Sequence, residues 1–124
     1  MMQVVLAVAA GGALGSVLRF ATSAYVTAQW PKHYYLATLA VNWVGCLCIG
    51  FLSAWFLTRT ELPLALRTGI LTGVLGGLTT FSSFSLEALR LAENGQLSSA
   101  ALYILASVIG GLAFAWLGMS VARL

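Results

Sequence analysis

The sequence predicts an all-α integral membrane protein with four transmembrane helices, the third of which is broken near mid-membrane. The 124 residues are 60% hydrophobic and only 7% charged, whereas soluble domains carry about 25% charged residues. The apolar residues fall into four segments of membrane-spanning length, and two glycines followed shortly by two threonines interrupt the third. The length suffices for one domain, residues 1–124, and not for two.

The four predicted spans are each close to the roughly 20 residues that a helix needs to cross the hydrocarbon core. They cover residues 4–28, 34–58, 63–91 and 97–122. Short connections separate them and contain the turn-forming pairs Trp30-Pro31 and Asn94-Gly95. No Lys or Arg precedes the first span, so we expect a transmembrane helix there and not a signal peptide, which has a basic n-region.

Small residues recur at four-residue spacing in the first, third and fourth spans. The members are Gly11 and Gly15; Gly69, Gly73 and Gly77; and Ala106, Gly110, Gly111 and Ala115. Such faces let membrane helices approach closely, although glycine is also simply common in membrane helices. Because three spans carry the pattern, we expect a tightly packed, oligomeric bundle.

The basic residues divide evenly between the two sides of a four-span chain. The two sets of three are Arg59, Arg67 and Arg123, and Arg19, Lys32 and Arg90. The positive-inside rule then favours neither orientation. Either Arg19 is buried and should not be counted, or the chain inserts in both orientations and pairs with an inverted copy. The small, dispersed net charge of +3 argues against nucleic-acid binding.

The interruption of the third span runs from Gly76 to Thr80 and precedes the polar stretch Phe81-Ser82-Ser83-Phe84-Ser85. Adjacent glycines and threonines are poor helix formers, and Thr or Ser hydroxyls suit the start of a new helix. A helix broken at membrane depth leaves backbone groups that protein, water or an ion must satisfy. Because transport proteins bind ions at such discontinuous helices, we predict an ion site here.

The residues after the interruption suit an anion better than a cation. Phe81 and Phe84 are three residues apart and share one side of the second half-helix. Phenylalanines at this spacing are usually core packing, but here hydroxyl side chains flank them. Ring edges are positive, hydroxyls donate hydrogen bonds, and a helix N-terminus carries partial positive charge.

Asn42 lies in the middle of the second span, one turn after Thr38. A polar stripe at this depth faces protein or water, so Asn42 either lines a pore or makes an interhelical hydrogen bond. Tyr103 and Ser107 share a face of the fourth span because they are four residues apart. Tyr103 is either part of that face or a residue of the interfacial aromatic belt.

Two charged residues have open roles. Glu87, one turn beyond Ser83, is the only acidic residue within reach of the interior of the third span. If its role is structural, we expect it to lie at a helix end at the membrane interface. Arg19 either snorkels to the interface or is the buried partner of a polar group.

Several classes of function are disfavoured. The chain has no Asp, one His, and no nucleophile–base pair or metal-ligand cluster within a span, which argues against a membrane enzyme. Cys46 and Cys48 point to different helix faces, so we expect inert thiols. A proton-coupled exporter needs a carboxylate in the membrane core, and the first span has none. A non-conducting assembly subunit would not account for the hydroxyl and phenylalanine cluster.

The whole chain resembles the Fluc/CrcB family of fluoride channels. The resemblance rests on Gly11-Gly12-Ala13-Leu14-Gly15 with Arg19, on Asn42, on the stretch from Gly76 to Ser85, and on Tyr103. It implies a channel in the plasma (inner) membrane of a prokaryote that passively exports cytoplasmic fluoride. It also implies an antiparallel, dual-topology homodimer with two pores built from helices of both subunits.

The resemblance also implies roles for individual residues. Fluoride would contact the ring edges of Phe81 and Phe84 and pass Asn42, and the further pore hydroxyls would be those of Thr80, Ser82, Ser83, Tyr103 and Ser107. A central sodium ion, structural and not transported, would bind the backbone carbonyls of Gly76 and Thr79. Arg19, Thr38 and Glu87 would lie near the ends of the pore or have structural roles.

Overall fold

The computed structural model describes residues 1–124 and contains only helices and short connections. The first, second and fourth spans are α1 (Met2–Gln29), α2 (Tyr35–Leu57) and α6 (Leu97–Ala122). The third span, Leu64–Glu93, consists of several shorter helices and is described below. All four spans are long and apolar enough to cross a membrane, and their ends differ by at most two residues from the predicted ones. The predicted fold class is therefore confirmed.

The third span is interrupted where two threonines follow the glycines. Helix α3 (Leu64–Thr68) continues into a π-helical segment (Gly69–Leu75) and a last turn, α4 (Gly76–Leu78). The chain is extended at Thr79, with φ −85° and ψ 155°, and α5 (Ser82–Glu93) then begins. The predicted break is confirmed, but Gly76 and Gly77 remain helical. The π-helical segment was not predicted.

Glycines bring α1 into direct backbone contact with the first half of the third span, residues 64–78. A methyl group on Gly11 would overlap the carbonyl oxygen of Gly69, and one on Gly15 would overlap that of Val74. A methyl group on Gly77 would lie 2.5 Å from the Gly12 carbonyl oxygen. Gly77 therefore serves close packing, which explains why it stays helical. The small-residue faces of α1 and the third span therefore pack against each other within one chain.

A second group of helices contains α2, α5 and α6. Helices α2 and α6 approach closely because Gly50 has no side chain. A methyl group at this position would overlap the carbonyl of Ala115. Helix α5 packs on α6 through a small core that consists of Phe84, Ala88, Leu91, Ala100 and Tyr103. The third span thus changes partner at its break, from α1 before it to α6 after it. Only 18 of 124 residues are buried, so most apolar side chains of this membrane protein face outward from the single chain.

The predicted turn between the third and fourth spans is confirmed. Gly95 has φ +78°, the left-handed region that glycine enters without a steric penalty. Its N–H donates to the carbonyl of Ala92, and the N–H of Gln96 donates to that of Leu91, 2.9 Å away. These bonds satisfy carbonyls at the end of α5, so α6 begins directly afterwards.

Candidate ion-binding site at the helix break

The side chain of Asn42 pairs with the backbone at the break. Its Nδ2 donates to the Thr80 carbonyl oxygen at 2.9 Å, and its Oδ1 accepts from the Thr80 N–H at 2.8 Å. Both backbone groups of Thr80 are thereby satisfied outside any helix. Of the two interpretations of Asn42, the interhelical hydrogen bond is confirmed. Asn42 also borders an open groove, described below.

The threonines organise the two helix ends that meet at the break. The Thr79 hydroxyl donates to the Leu75 carbonyl at 2.8 Å, at the end of the first half-helix. The Thr80 hydroxyl accepts from the N–H of Ser83 at 3.2 Å and lies 3.3 Å from the Ser82 hydroxyl. The capping role predicted for a hydroxyl at the start of the second half-helix is confirmed, with Thr80 as the cap.

A glycine of α2 accommodates the break. A methyl group on Gly45 would overlap the Cγ2 methyl of Thr79, so the absence of a side chain there makes room for the extended segment. No role at this site was predicted for Gly45. Its position one turn after Asn42 was the available signal, because both residues then share a face of α2.

Phe81 and Phe84 lie close together but in different environments. Their ring centroids are 5.6 Å apart, with planes inclined at 54°. Phe84 is buried and packs against Tyr103 at 5.2 Å in an edge-to-face arrangement. Phe81 has 78% of its surface exposed on the single chain. Phe84 is therefore part of the core, as the packing interpretation holds, while Phe81 projects from the break without a cover.

An open groove of about 570 Å³ runs along the face of the chain that carries the break. Helices α2 and α6 and residues between Leu71 and Phe84 form its walls, which are mainly apolar or glycine. The predicted site residues that line it are Asn42, Gly76, Thr79, Thr80, Phe81, Phe84 and Ser107. The Ser107 hydroxyl is buried and has no hydrogen-bond partner. It differs from Ser85 and Ser120, whose hydroxyls donate to carbonyls four residues earlier.

Glu87 lies in the middle of α5, so its interpretation as a helix-end residue is wrong. Its carboxylate accepts from the Thr38 hydroxyl at 2.8 Å and from the Tyr103 hydroxyl at 2.7 Å. Tyr103 is only 3% exposed, so the aromatic-belt interpretation is also wrong. Each hydroxyl has one hydrogen to donate, and in this structure both are directed to Glu87. The three side chains join α2, α5 and α6.

Arg19 crosses from α1 to the end of the first half-helix. Its Nε donates to the Gly77 carbonyl at 3.0 Å, and the side chain is partly buried. The interpretation as the partner of a polar group is thus confirmed. A cation suits this place because the C-terminal end of a helix carries partial negative charge. If Arg19 is left out of the charge count for this reason, three basic residues lie on one side of the membrane and two on the other.

A second, more polar cavity of about 140 Å³ lies beside the break. Arg19, Thr38, Thr80, Ser83 and Glu87 all line it, together with Ser23, which the sequence analysis did not single out. The signal for Ser23 was its position four residues after Arg19, on the same face of α1. The cavity brings one guanidinium and several hydroxyls together with a carboxylate whose two oxygens already accept hydrogen bonds.

Three carbonyl oxygens at the break accept no hydrogen bond within the chain, those of Gly76, Leu78 and Thr79. The carbonyls of Gly77 and Thr80 each accept one, and that of Leu75 accepts two, from the N–H and the hydroxyl of Thr79. Unpaired carbonyl oxygens at the end of a half-helix are ligands that suit a sodium ion. The donor set therefore fits the cation that the family resemblance implies.

A model of the family described as "CrcB-like protein, Camphor Resistance (CrcB)" matches residues 6–119. The chain belongs to the CrcB family. The resemblance stated from the sequence motifs is thereby confirmed, and the match spans the break and all four helices.

Several bacterial members of the CrcB family are similar to this chain over its full length. Proteins named fluoride-specific ion channel FluC are 59% identical in Azotobacter vinelandii (strain DJ / ATCC BAA-1303) and 56% identical in Stutzerimonas stutzeri (strain A1501). A third, from Pseudomonas fluorescens (strain SBW25), is 55% identical. Each comparison covers 124 residues and 100% of both chains.

Replacing Asn42 should destabilise the fold, because Asn42→Ala leaves the N–H and the carbonyl of Thr80 without their partner. We expect the free energy of unfolding to fall by about 2 kcal/mol. Thermal unfolding of the purified protein in detergent measures the effect. Asn94→Ala is the matched control, since Asn94 is exposed in a loop and should change stability by less than about 0.5 kcal/mol. Equal unfolding temperatures for both variants would contradict the structural role of Asn42.

Proposed function

We propose that the whole chain is one channel domain that conducts fluoride passively and selectively out of the cytoplasm. The observation that carries this proposal is the convergence on one groove of Phe81, Phe84, Asn42, Thr80 and the unpaired Ser107 hydroxyl. The relatives that are 53–59% identical over the whole chain bear the name of a fluoride-specific channel, which supports the same function. The proposed function is ion conduction and involves no catalysed reaction.

The chemistry of the groove suits a small, strongly hydrated anion. Fluoride must exchange water for hydrogen-bond donors, and the Ser107 hydroxyl is a donor without another acceptor. The ring edges of Phe81 and Phe84 are positive but uncharged, so they attract an anion without binding it as tightly as a fixed charge would. The start of α5 adds partial positive charge at the same place. These features favour rapid passage over tight binding.

The polar cavity next to the break is the proposed mouth of this path. Arg19 would attract the anion, and the Ser83 hydroxyl at the start of α5, which lines this cavity, would replace part of its water. Glu87 would disfavour an anion if it were free, but Thr38 and Tyr103 both donate to it. In this proposal Tyr103 and Thr38 act by occupying the carboxylate, and Tyr103 reaches fluoride only if it leaves Glu87.

An inverted copy of the chain is the proposed cover of the groove. Non-helical backbone is not found exposed to lipid at membrane depth, because its polar groups would lack partners. On the single chain the non-helical residues Thr79 and Thr80 are only partly buried, and Phe81, with 78% of its surface exposed, projects beside them. A second chain in antiparallel orientation would bury these groups and build two pores, each from helices of both subunits. Five countable basic residues, divided three to two, give only a weak preference for one orientation.

A sodium ion between the two copies is proposed to bind the carbonyls of Gly76 and Thr79. An antiparallel pair would bring two such sets of oxygens together at its centre. The ion would supply positive charge that compensates the C-terminal ends of both first half-helices. It would be structural and would not cross the membrane.

Net export needs no coupled ion. Hydrogen fluoride enters from acidic surroundings and dissociates inside, so the anion accumulates in the cytoplasm. Moving one charge through the membrane is worth about 2.3 kcal/mol per 100 mV, which biases fluoride outward. A proton-coupled exporter is less well supported, because the one carboxylate near the path already accepts two hydrogen bonds.

Fluoride efflux from liposomes that contain the purified protein should be rapid, and chloride efflux should be slight. Phe81→Ile should slow fluoride efflux by about tenfold, a loss of about 1.4 kcal/mol, because the aliphatic side chain has no positive edge. Ion-selective electrodes measure both anions. Phe51→Ile is the control, since Phe51 lies outside the groove and should keep the rate. Equal passage of the two halides, or efflux that requires a proton gradient, would contradict the proposal.

A tag at the C-terminus should be labelled from both sides of the membrane in cells, because the proposed pair contains both orientations. Adding two lysines to the connection between the second and third spans should shift labelling to one side, as the positive-inside rule expects. Labelling of the unmodified protein from one side only would rule out the antiparallel pair.

The purified protein should unfold at a higher temperature in sodium chloride than in the chloride of N-methylglucamine at equal ionic strength. A ligand at one hundred times its dissociation constant stabilises the folded state by about 2.7 kcal/mol. Potassium chloride is the control for a general effect of small cations. The same unfolding temperature in all three salts would count against the sodium site.

A further inference from the structure

Trp43, the residue after Asn42, joins α2 to α6 by a hydrogen bond from its side chain to the backbone of the other helix. Its indole Nε1 donates to the carbonyl oxygen of Ala106 at 3.0 Å, and the side chain is partly buried. An indole N–H has a single hydrogen and one fixed direction. The bond therefore specifies one position of α2 along the axis of α6.

The indole of Trp43 occupies a notch on α6 that exists because residue 110 is glycine. A methyl group on Gly110 would lie 2.5 Å from the indole Nε1, 2.7 Å from Cε2 and 2.8 Å from Cζ2. The ring of Phe114 lies on the other side of the notch, with its centroid 5.2 Å from that of Trp43. Ala106, Gly110 and Phe114 are successive positions on one face of α6, so the indole contacts three consecutive turns.

The neighbours of this contact are the polar residues of the groove. Asn42 precedes Trp43 and holds the break through both backbone groups of Thr80. Ser107 follows Ala106 and lines the groove, and its hydroxyl is buried without a hydrogen-bond partner. A shift of α2 along α6 would therefore change the distance between the break and the Ser107 hydroxyl.

We propose that Trp43 is a positioning residue for fluoride conduction. Its indole, seated in the Gly110 notch and bonded to Ala106, sets the register of α2 against α6 and thereby the separation of the Asn42–Thr80 pair from Ser107. The inference rests on the proposed function and adds a residue that does not itself contact the ion. Trp43 thus determines how fast an active channel conducts, beyond any contribution to folding.

A double-mutant cycle between Trp43 and Gly110 tests the proposal in liposomes. Vesicles are prepared at low protein content, so that the fraction of active vesicles reports folded channels and the efflux rate reports conduction per channel. Trp43→Leu and Gly110→Ala should each slow fluoride efflux per active vesicle by about tenfold, because small displacements at a polar site have large effects on rate. In the Trp43→Leu background, Gly110→Ala should add no further loss, since the indole with which it collides is absent.

Control variants distinguish positioning from folding. Trp116→Leu removes an indole that is 69% exposed on α6 and should keep the normal rate. Trp43→Phe keeps an aromatic ring but loses the hydrogen-bond donor, and it should also lower the fluoride efflux rate per active vesicle. It takes the place of Trp43→Leu in the experiment if Trp43→Leu does not fold. The proposal is overturned if the variants reduce only the fraction of active vesicles, or if the two losses add. If the unmodified protein passes no fluoride at all, the proposed function fails and this role fails with it.

Discussion

The two hydrogen bonds between the Asn42 carboxamide and the backbone of Thr80 are the constraint on which the rest of this structure depends. A membrane-spanning helix can stop and restart in the hydrocarbon region only if the freed backbone groups find partners. A carboxamide offers a donor and an acceptor side by side, so one side chain satisfies both groups of one residue. The break is therefore a built feature of α2 and the third span together, and Gly45 makes the room that it needs.

Because the span is broken, its two halves pack in different places and present opposite partial charges near one point. The first half packs on α1 through backbone contacts at glycines, and α5 packs on α6 through Phe84 and Tyr103. The C-terminal end of the first half is negative, and Arg19 already binds the Gly77 carbonyl there. The N-terminal end of α5 is positive and carries the serine hydroxyls. An unbroken helix would place neither end inside the membrane, so one interruption brings a negative and a positive helix end together there.

The sequence alone predicts the spans, the existence of the break and the capping role of a hydroxyl, because each follows from hydropathy or local propensity. It does not predict which residues form the break. Gly76 and Gly77 have low helix propensity, yet they stay helical because the contact of Gly77 with α1 is tertiary. The partners of Glu87 were likewise beyond reach, since Thr38 and Tyr103 are 49 and 16 residues away along the chain. Trp43 belongs to no polar pattern in the sequence, and its proposed role follows only from its contact with the Gly110 notch.

The polar groups of the single chain are satisfied unevenly, and this asymmetry supports the proposed second copy more directly than the charge count does. Toward α1 and α2, Arg19, Asn42 and the threonine hydroxyls each have a hydrogen-bond partner. Toward the groove, the carbonyls of Gly76 and Thr79 accept no hydrogen bond, and Phe81 is uncovered. Lipid tails cannot donate or accept hydrogen bonds, so leaving these groups against lipid would cost several kcal/mol for each. A cover that supplies protein, ions and water removes this cost, and an antiparallel copy presents the same incomplete face in return.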